Sequence, residues 1–419
     1  MKELLSVIWL SLSCTPGTES FAKLLGRFSS AEEIFAADSY EIAACIGSKS
    51  RDYTSLTNKN TDEARRILDF CESKNIGILT YFDERFPKSL RKIKNPPVLL
   101  YYRGTLPDFN GNFFASVVGT RKLTSYGRKH TFTVANDLAR AGAVVVSGMA
   151  IGIDGVALAG AIAASMPTVA IIGSGIDICY PIQHRRLARE IVKLGCVMTE
   201  YAPGTRPERY NFPVRNRIIS ALSEITLVIE GSERSGALIT ARKAFEQGKR
   251  VYAFPGNVGN VNSQASILLL KNGASAFTSA DDIVRDFENE VPARLNPFKL
   301  SGTDRTDMYG VLRALEVSCV ALDDEVFNSK PKRASRDSSS RADAPVAYEI
   351  KSTGGNESRV ASLDEKSLRL YRKIPIDSDC SLEELIDENY SLRDVMQVLL
   401  RLEIARFVTM LPGDRVKRI

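Results

Sequence analysis

Seven short apolar runs, each followed or preceded by a helix-patterned segment, fill residues 113–288 and narrow the folds open to this chain. The runs are FFASVVG, AVVVSG, TVAIIG, CVMTEY, ITLVIEG, RVYAFPG and ASAF. Between them lie segments with helical apolar spacing, such as YGRKHTFTVANDLARAG, HRRLAREIVKLG and ALITARKAFEQG. A strand that is apolar at consecutive positions must be covered on both faces. Strands alternating with helices achieve this by right-handed crossovers onto either side of a parallel sheet. The expected class is α/β, a Rossmann-like doubly wound parallel sheet. With its lead-in NIGILTYFDERF it occupies 76–288.

The 419 residues exceed one ordinary domain, and the flanks read differently. Residues 1–75 form a predicted module of short helices. MKELLSVIWL could imitate a secretion signal, but Glu3 and the amphipathic continuation favour a first helix with Leu4, Leu5, Ile8 and Trp9 on one face. LSLSCTPGTESF is like a helix-hairpin-helix or sterile-alpha-motif (SAM) turn. No Lys or Arg lies at that turn, so no DNA contact is assigned to it. Residues 289–362 are rich in Ser, Pro, Gly and charge and read as a flexible linker, interrupted by a short helix around MYGVLRALEVSCVAL. In 363–419, two amphipathic segments precede RFVTMLPGDRVKRI, a hairpin pattern. That outline is a winged helix. Arg393, Gln397 and Arg401 share one face of its second helix and could contact a groove or only solvent.

Composition excludes several chemistries. No apolar run approaches membrane-spanning length, so no membrane partner is expected. Two histidines and seven scattered cysteines without a CxxC pair argue against a metal site and for a reducing cytoplasm. There is no GxGxxG after the first strand and no GxxxxGK[ST], so no dinucleotide or ATP cofactor is expected. The net charge of +6 permits an anionic partner without demanding one.

Charge placement is more informative. Ligands of open parallel sheets bind beyond the carboxyl ends of the strands. Four loops at such ends carry glycines or arginines. GTRKLTSYGRK holds Arg121, Lys122, Arg128 and Lys129; SGMAIGID runs from Ser147 to Asp154. PGTRPERYNFPVRNR holds Arg206, Arg209, Arg215 and Arg217 with Tyr210 and Phe212; GSERSGALIT puts Arg234, Ser235 and Gly236 before a helix. Together they predict a positive rim with aromatics, suited to phosphates and unpaired bases. Asp154, Glu200 and Glu230 are expected to cap helices or to hold arginines such as Arg217. His184 reads as an N-terminal surface residue of its helix.

VVGTR, SGMAIGIDGVAL, FPVRNRIISALS, ERSGALITA, FPGN and LLLKNGA stand in this order, and the chain resembles the DNA-processing protein A (DprA/Smf) family over about 76–288. The resemblance implies a non-enzymatic protein that binds single-stranded DNA, forms a homodimer and loads RecA recombinase during natural transformation. It implies DNA contacts at Arg121, Ser147, Gly148, Phe212, Arg215, Asn216, Arg217, Ser235 and Gly236, with a looser match at Arg209. The alternative is a nucleoside-monophosphate-processing enzyme of the lysine-decarboxylase-like Rossmann class. The PGGxGTxxE signature of that class is not found here.

Overall fold

The computed structural model describes residues 2–287, short stretches between 290 and 318, and stretches between 365 and 418. The chain divides into two compact units, Met1–Pro331 and Lys332–Ile419.

All seven expected strands form in the first unit. They are β3 (Phe113–Val118), β4 (Ala143–Ser147), β5 (Thr168–Ile171), β6 (Cys196–Thr199), β7 (Ile225–Val228), β8 (Arg250–Ala253) and β9 (Ser275–Ala276). The lead-in adds β1 (Gly77–Thr80) and β2 (Leu99–Gly104), giving the order β1-β2-β6-β5-β4-β3-β7-β8-β9. From β6 to β9 every pairing is parallel. The lead-in corrects the expectation of a purely parallel sheet, because β2 pairs antiparallel with β6 and β1 with β2. An antiparallel pair added outside β6 needs no crossover helix, so the chain can enter the sheet in either direction there.

The strand order reverses between β3 and β7. Successive crossovers run from β3 out to β6, and the chain then returns to pair β7 with the free side of β3. That reversal leaves a crevice at the carboxyl ends of β3 and β7. Two apolar cores flank the sheet. One contains Phe114, Val146, Ile219 and Ala241. The other runs from Val117, Val145 and Leu158 to Trp9, Phe21 and Ile34, so the N-terminal helices share a core with one sheet face.

Six helices form between Lys2 and Ser73. Ser30 caps one by accepting from the Glu33 N–H, and Asp38 with Glu41 closes a capping box on the next. The CTPGT turn faces inward. Thr15 and Thr18 donate to the buried Asp52 carboxylate, and Cys14 is buried. Within the segment expected as linker, Met308–Ala314 is a helix that buries Leu312. In the second unit, a helix Glu365–Lys373 and an antiparallel sheet of β10 (Cys380–Ser381), β12 (Arg415–Arg418) and β11 (Val408–Leu411) enclose Leu370, Leu385, Val398 and Leu402. Arg393, Gln397 and Arg401 lie outside the described residues. Among the described residues no helix is long and apolar enough to cross a membrane.

Candidate nucleic-acid interface

A cleft of about 740 Å³ opens at the β3/β7 reversal. The loop after β3 contributes Thr120 and Arg121, and the loop after β7 contributes Ser232, Ser235 and Gly236. Helix Asn211–Leu222, the crossover between β6 and β7, forms a wall with Phe212, Arg215, Asn216 and Ile219. Arg209, just before that helix, is exposed on the rim. Asp154 is the one carboxylate among the lining residues, against three arginines.

Glu230 fixes the two loops to each other. Its carboxylate accepts from the Thr124 N–H at 2.9 Å and the Thr124 hydroxyl at 2.6 Å, while its carbonyl accepts from the Thr120 N–H. Gly127 is required there, since a Cβ would stand 2.3 Å from the Glu230 carboxylate. Ser235 caps helix Gly236–Glu246 by accepting from the Ala237 N–H. The positive end of that helix thereby borders the cleft, a place suited to an anion.

Phe212 stands among cations. The Arg121 guanidinium carbon lies 5.5 Å and that of Arg215 5.8 Å from its ring centroid. Tyr180, which is 43% exposed, tilts against the same ring at 5.7 Å. Arg215 is buried. It donates to the Gly148 carbonyl at 2.9 Å, to the Ile171 carbonyl, and to Asn216 Oδ1 at 3.1 Å. Burial pulls its pKa down to about 10, with Asp154 opposing, so Arg215 keeps its charge at neutral pH. Burial in turn pushes the Asp154 carboxyl up, against the pull of Arg215. Arg121 is exposed and supplies the solvent-facing charge of the pair.

The structure brings Arg121, Arg209, Phe212, Arg215, Asn216, Ser235 and Gly236 together in this cleft, puts Gly148 in a small adjoining pocket with Arg121, Tyr180 and Phe212, and turns Ser147 and Arg217 elsewhere. The Ser147 hydroxyl is buried and donates to the Val117 carbonyl, cross-linking β4 to β3. Gly148 lies behind Arg215; its N–H donates to Asp154, and a Cβ would meet both side chains at 2.6 Å. The SGMAIGID loop therefore braces the cleft through part of its backbone. Gly152 N–H is taken by Ser318 and Ile153 N–H by Thr120. Arg217 points away from the cleft, 3% exposed, and meets both Glu200 oxygens at 2.7 Å. Arg128 is also withdrawn from the expected rim, buried beneath Tyr309 at 5.5 Å.

His184 corrects another expectation. It is buried, with Nδ1 at 3.0 Å from the Met149 carbonyl and Nε2 accepting from the Ser318 N–H at 3.0 Å. These partners fix a neutral tautomer that clips the 306–318 segment onto the loop behind Arg215. Tyr180 is the cleft residue that sequence reasoning missed. It sits in GSGIDICYP, and an aromatic after a glycine-rich strand end was its available signal.

The family model described as DNA recombination-mediator protein A matches residues 77–288. The DNA processing protein DprA of Bacillus subtilis (strain 168) is 35% identical over 233 residues, covering 56% of this chain and 78% of that protein. Protein Smf of Escherichia coli (strain K12) is 33% identical over 280 residues, covering 62% and 74%. The X-ray structure of DNA processing protein A from Streptococcus pneumoniae superposes with a TM-score of 0.57 at 31% identity, covering 67% of this chain and 98% of that one. A match over half of the chain, with relatives of this similarity, places the protein: it belongs to the DNA recombination-mediator protein A family.

Proposed function

We propose that the β3/β7 cleft binds single-stranded DNA, and that the chain, as a homodimer in the cytoplasm, protects the strand and hands it to RecA recombinase during natural transformation and recombination. The observation that carries this reading is Phe212 with the Arg121 and Arg215 guanidinium groups within 6 Å of its ring, at the lip of a cleft bordered by a helix N-terminus. An unpaired base has a π face free to stack on Phe212 or Tyr180, while the phosphates on either side meet Arg121, Arg209 and the Gly236 helix end. In a duplex those faces are already stacked, so the arrangement favours single strands. Shape and charge, without base-edge donors and acceptors, make binding tolerant of sequence and steeply salt-dependent. Arg215, Asn216 and the buried Ser147, Gly148 and Arg217 keep helix Asn211–Leu222 and its neighbours in place for these contacts.

The flanking parts have their own proposed roles. Residues 1–75 act as a SAM or helix-hairpin-helix-like packing module, 76–288 as the DNA-binding domain, 289–362 as a linker and 363–419 as a winged helix with the β11–β12 hairpin as its wing. The six described cysteines are unpaired, in keeping with a reducing compartment.

The test is fluorescence anisotropy of a labelled oligonucleotide, single-stranded against duplex, over a salt series. Preference for the single strand with a steep salt slope supports the reading; equal or duplex-preferring affinity contradicts it. For the recombinase step, RecA filament growth on a strand pre-coated with a competing binder should accelerate when this protein is added. No change in that rate would remove the hand-over from the proposal.

A further inference from the structure

Helix Asn211–Leu222 has a second polar side. At 3.6 residues per turn, Arg217 lies about 200° round the helix from Arg215 and so faces the other way. There it lines a separate cleft of about 810 Å³ together with Lys92, Lys94, Lys243, Gln247 and Lys249. The lysines come from two distant segments, one just after the helix Lys88–Arg91 and one at and beyond the end of helix Gly236–Glu246. Two carboxylates also line it, Glu19 and Glu246, and Lys243 engages Glu246 at 2.7 Å. Lys92, Lys94 and Lys249 make no ion pair among the described residues.

The floor of this cleft is short of acceptors. Arg217 directs one nitrogen to Glu200 and leaves buried Nε and Nη1 without a hydrogen-bond partner among the described residues. Buried donors left unpaired are destabilising, and a bound oxyanion relieves that cost. Burial also pulls the Lys249 ammonium below its ordinary value, Glu224 opposing and Lys92 adding to the shift. Like charges gathered over unpaired donors describe a place that gains from an arriving anion.

We propose that this cleft is a second phosphate-binding site, distinct from the Phe212 cleft, and that it takes the phosphodiester backbone of a nucleic acid strand. No aromatic side chain lines it, so it grips backbone without stacking bases. The same phosphate chemistry could instead come from a free nucleotide or polyphosphate, and the two sources are separable.

The experiment compares the full chain with its Lys92→Ala/Lys94→Ala/Lys249→Ala variant. The three side chains are exposed or half-exposed, and Arg217 with Glu200 stays intact. A long oligothymidylate and a short one are titrated over a salt series, and melting is followed with inorganic pyrophosphate. The slope of log affinity against log salt should fall by up to about 2 for the long strand, from three lost phosphate contacts, and stay unchanged for the short one. Equal long-strand slopes, with pyrophosphate raising the melting temperature of the parent alone, would overturn the strand as occupant and assign the site to a free phosphate. Equal slopes and equal pyrophosphate shifts would overturn the site altogether. Failure of the short strand to bind at all would count against the Phe212 cleft only, because the comparison of parent and variant does not depend on it.

Discussion

Arg215 and Arg217 lie two residues apart on one helix, both buried, and the protein treats them differently. Arg217 has a carboxylate of its own, Glu200, with both oxygens at 2.7 Å and almost no exposure. Arg215 is held mainly by carbonyl oxygens and by Asn216, with Asp154 nearby and Phe212 in front. The first arrangement neutralises its cation inside the fold. The second leaves positive potential at the lip of the β3/β7 cleft, where the exposed Arg121 adds to it. A run of arginines in sequence is thus divided by helical phase into supporting and displayed charge.

Removing each member of this arrangement should break it in a different way. Arg217→Ala should cost the most stability, about 3–5 kcal/mol, because it leaves Glu200 buried without its counter-charge. Urea denaturation reads this directly. Burial already pushes the Glu200 carboxyl up, with Arg217 opposing, so the variant should also take up a proton there. Replacing both partners with apolar residues of similar size, as in Glu200→Leu/Arg217→Met, should recover much of the loss. If the double variant is as unstable as Arg217→Ala, the pair is not the reason for the loss.

Phe212→Ala should act on binding instead. Its ring is only half-buried, and loss of base stacking costs about 1–3 kcal/mol, roughly 5- to 150-fold in affinity, with the melting temperature near that of the parent. Phe212→Tyr should retain most of the affinity. A smaller effect is expected for Arg121→Ala, which should lower the salt slope by about 0.7 for one phosphate contact and leave stability unchanged.

The smallest effect concerns pH. His184 is buried neutral, and burial holds its pKa below the ordinary 6.5, opposed by its bonds to Met149 and Ser318. The unfolded chain therefore binds this proton more readily than the folded one. The stability His184 contributes is complete above about pH 6.5 and is lost as pH falls toward the lower folded value. Denaturation midpoints measured in steps from neutral to mildly acidic pH should decline, and His184→Gln should flatten that part of the profile.

The same contrast explains what could be read in advance. The seven strands of 113–288 were legible because burial on both faces writes itself as consecutive apolar residues. The loops of the cleft were legible because the strand ends of such a sheet are where glycine and arginine collect. The fate of each arginine was not. Phase along helix Asn211–Leu222 depends on where the helix begins, and partners such as Glu200 for Arg217 or Asp154 for Arg215 come from other elements. His184 looked like a surface residue because nothing near it in sequence reveals that Ser318 returns to cover it. The antiparallel β1 and β2 were equally silent, since strand direction at an edge is decided by where the preceding helices leave the chain.

The most direct test of the cleft replaces a base of a bound single strand with 2-aminopurine, whose fluorescence reports stacking, and follows it with the parent chain and with Phe212→Leu. The expected result is a fluorescence change on binding the parent that is lost in Phe212→Leu, together with weaker affinity and an unaltered melting temperature. The same signal and the same affinity in both proteins would contradict base stacking on Phe212 and with it the β3/β7 cleft as the single-strand site.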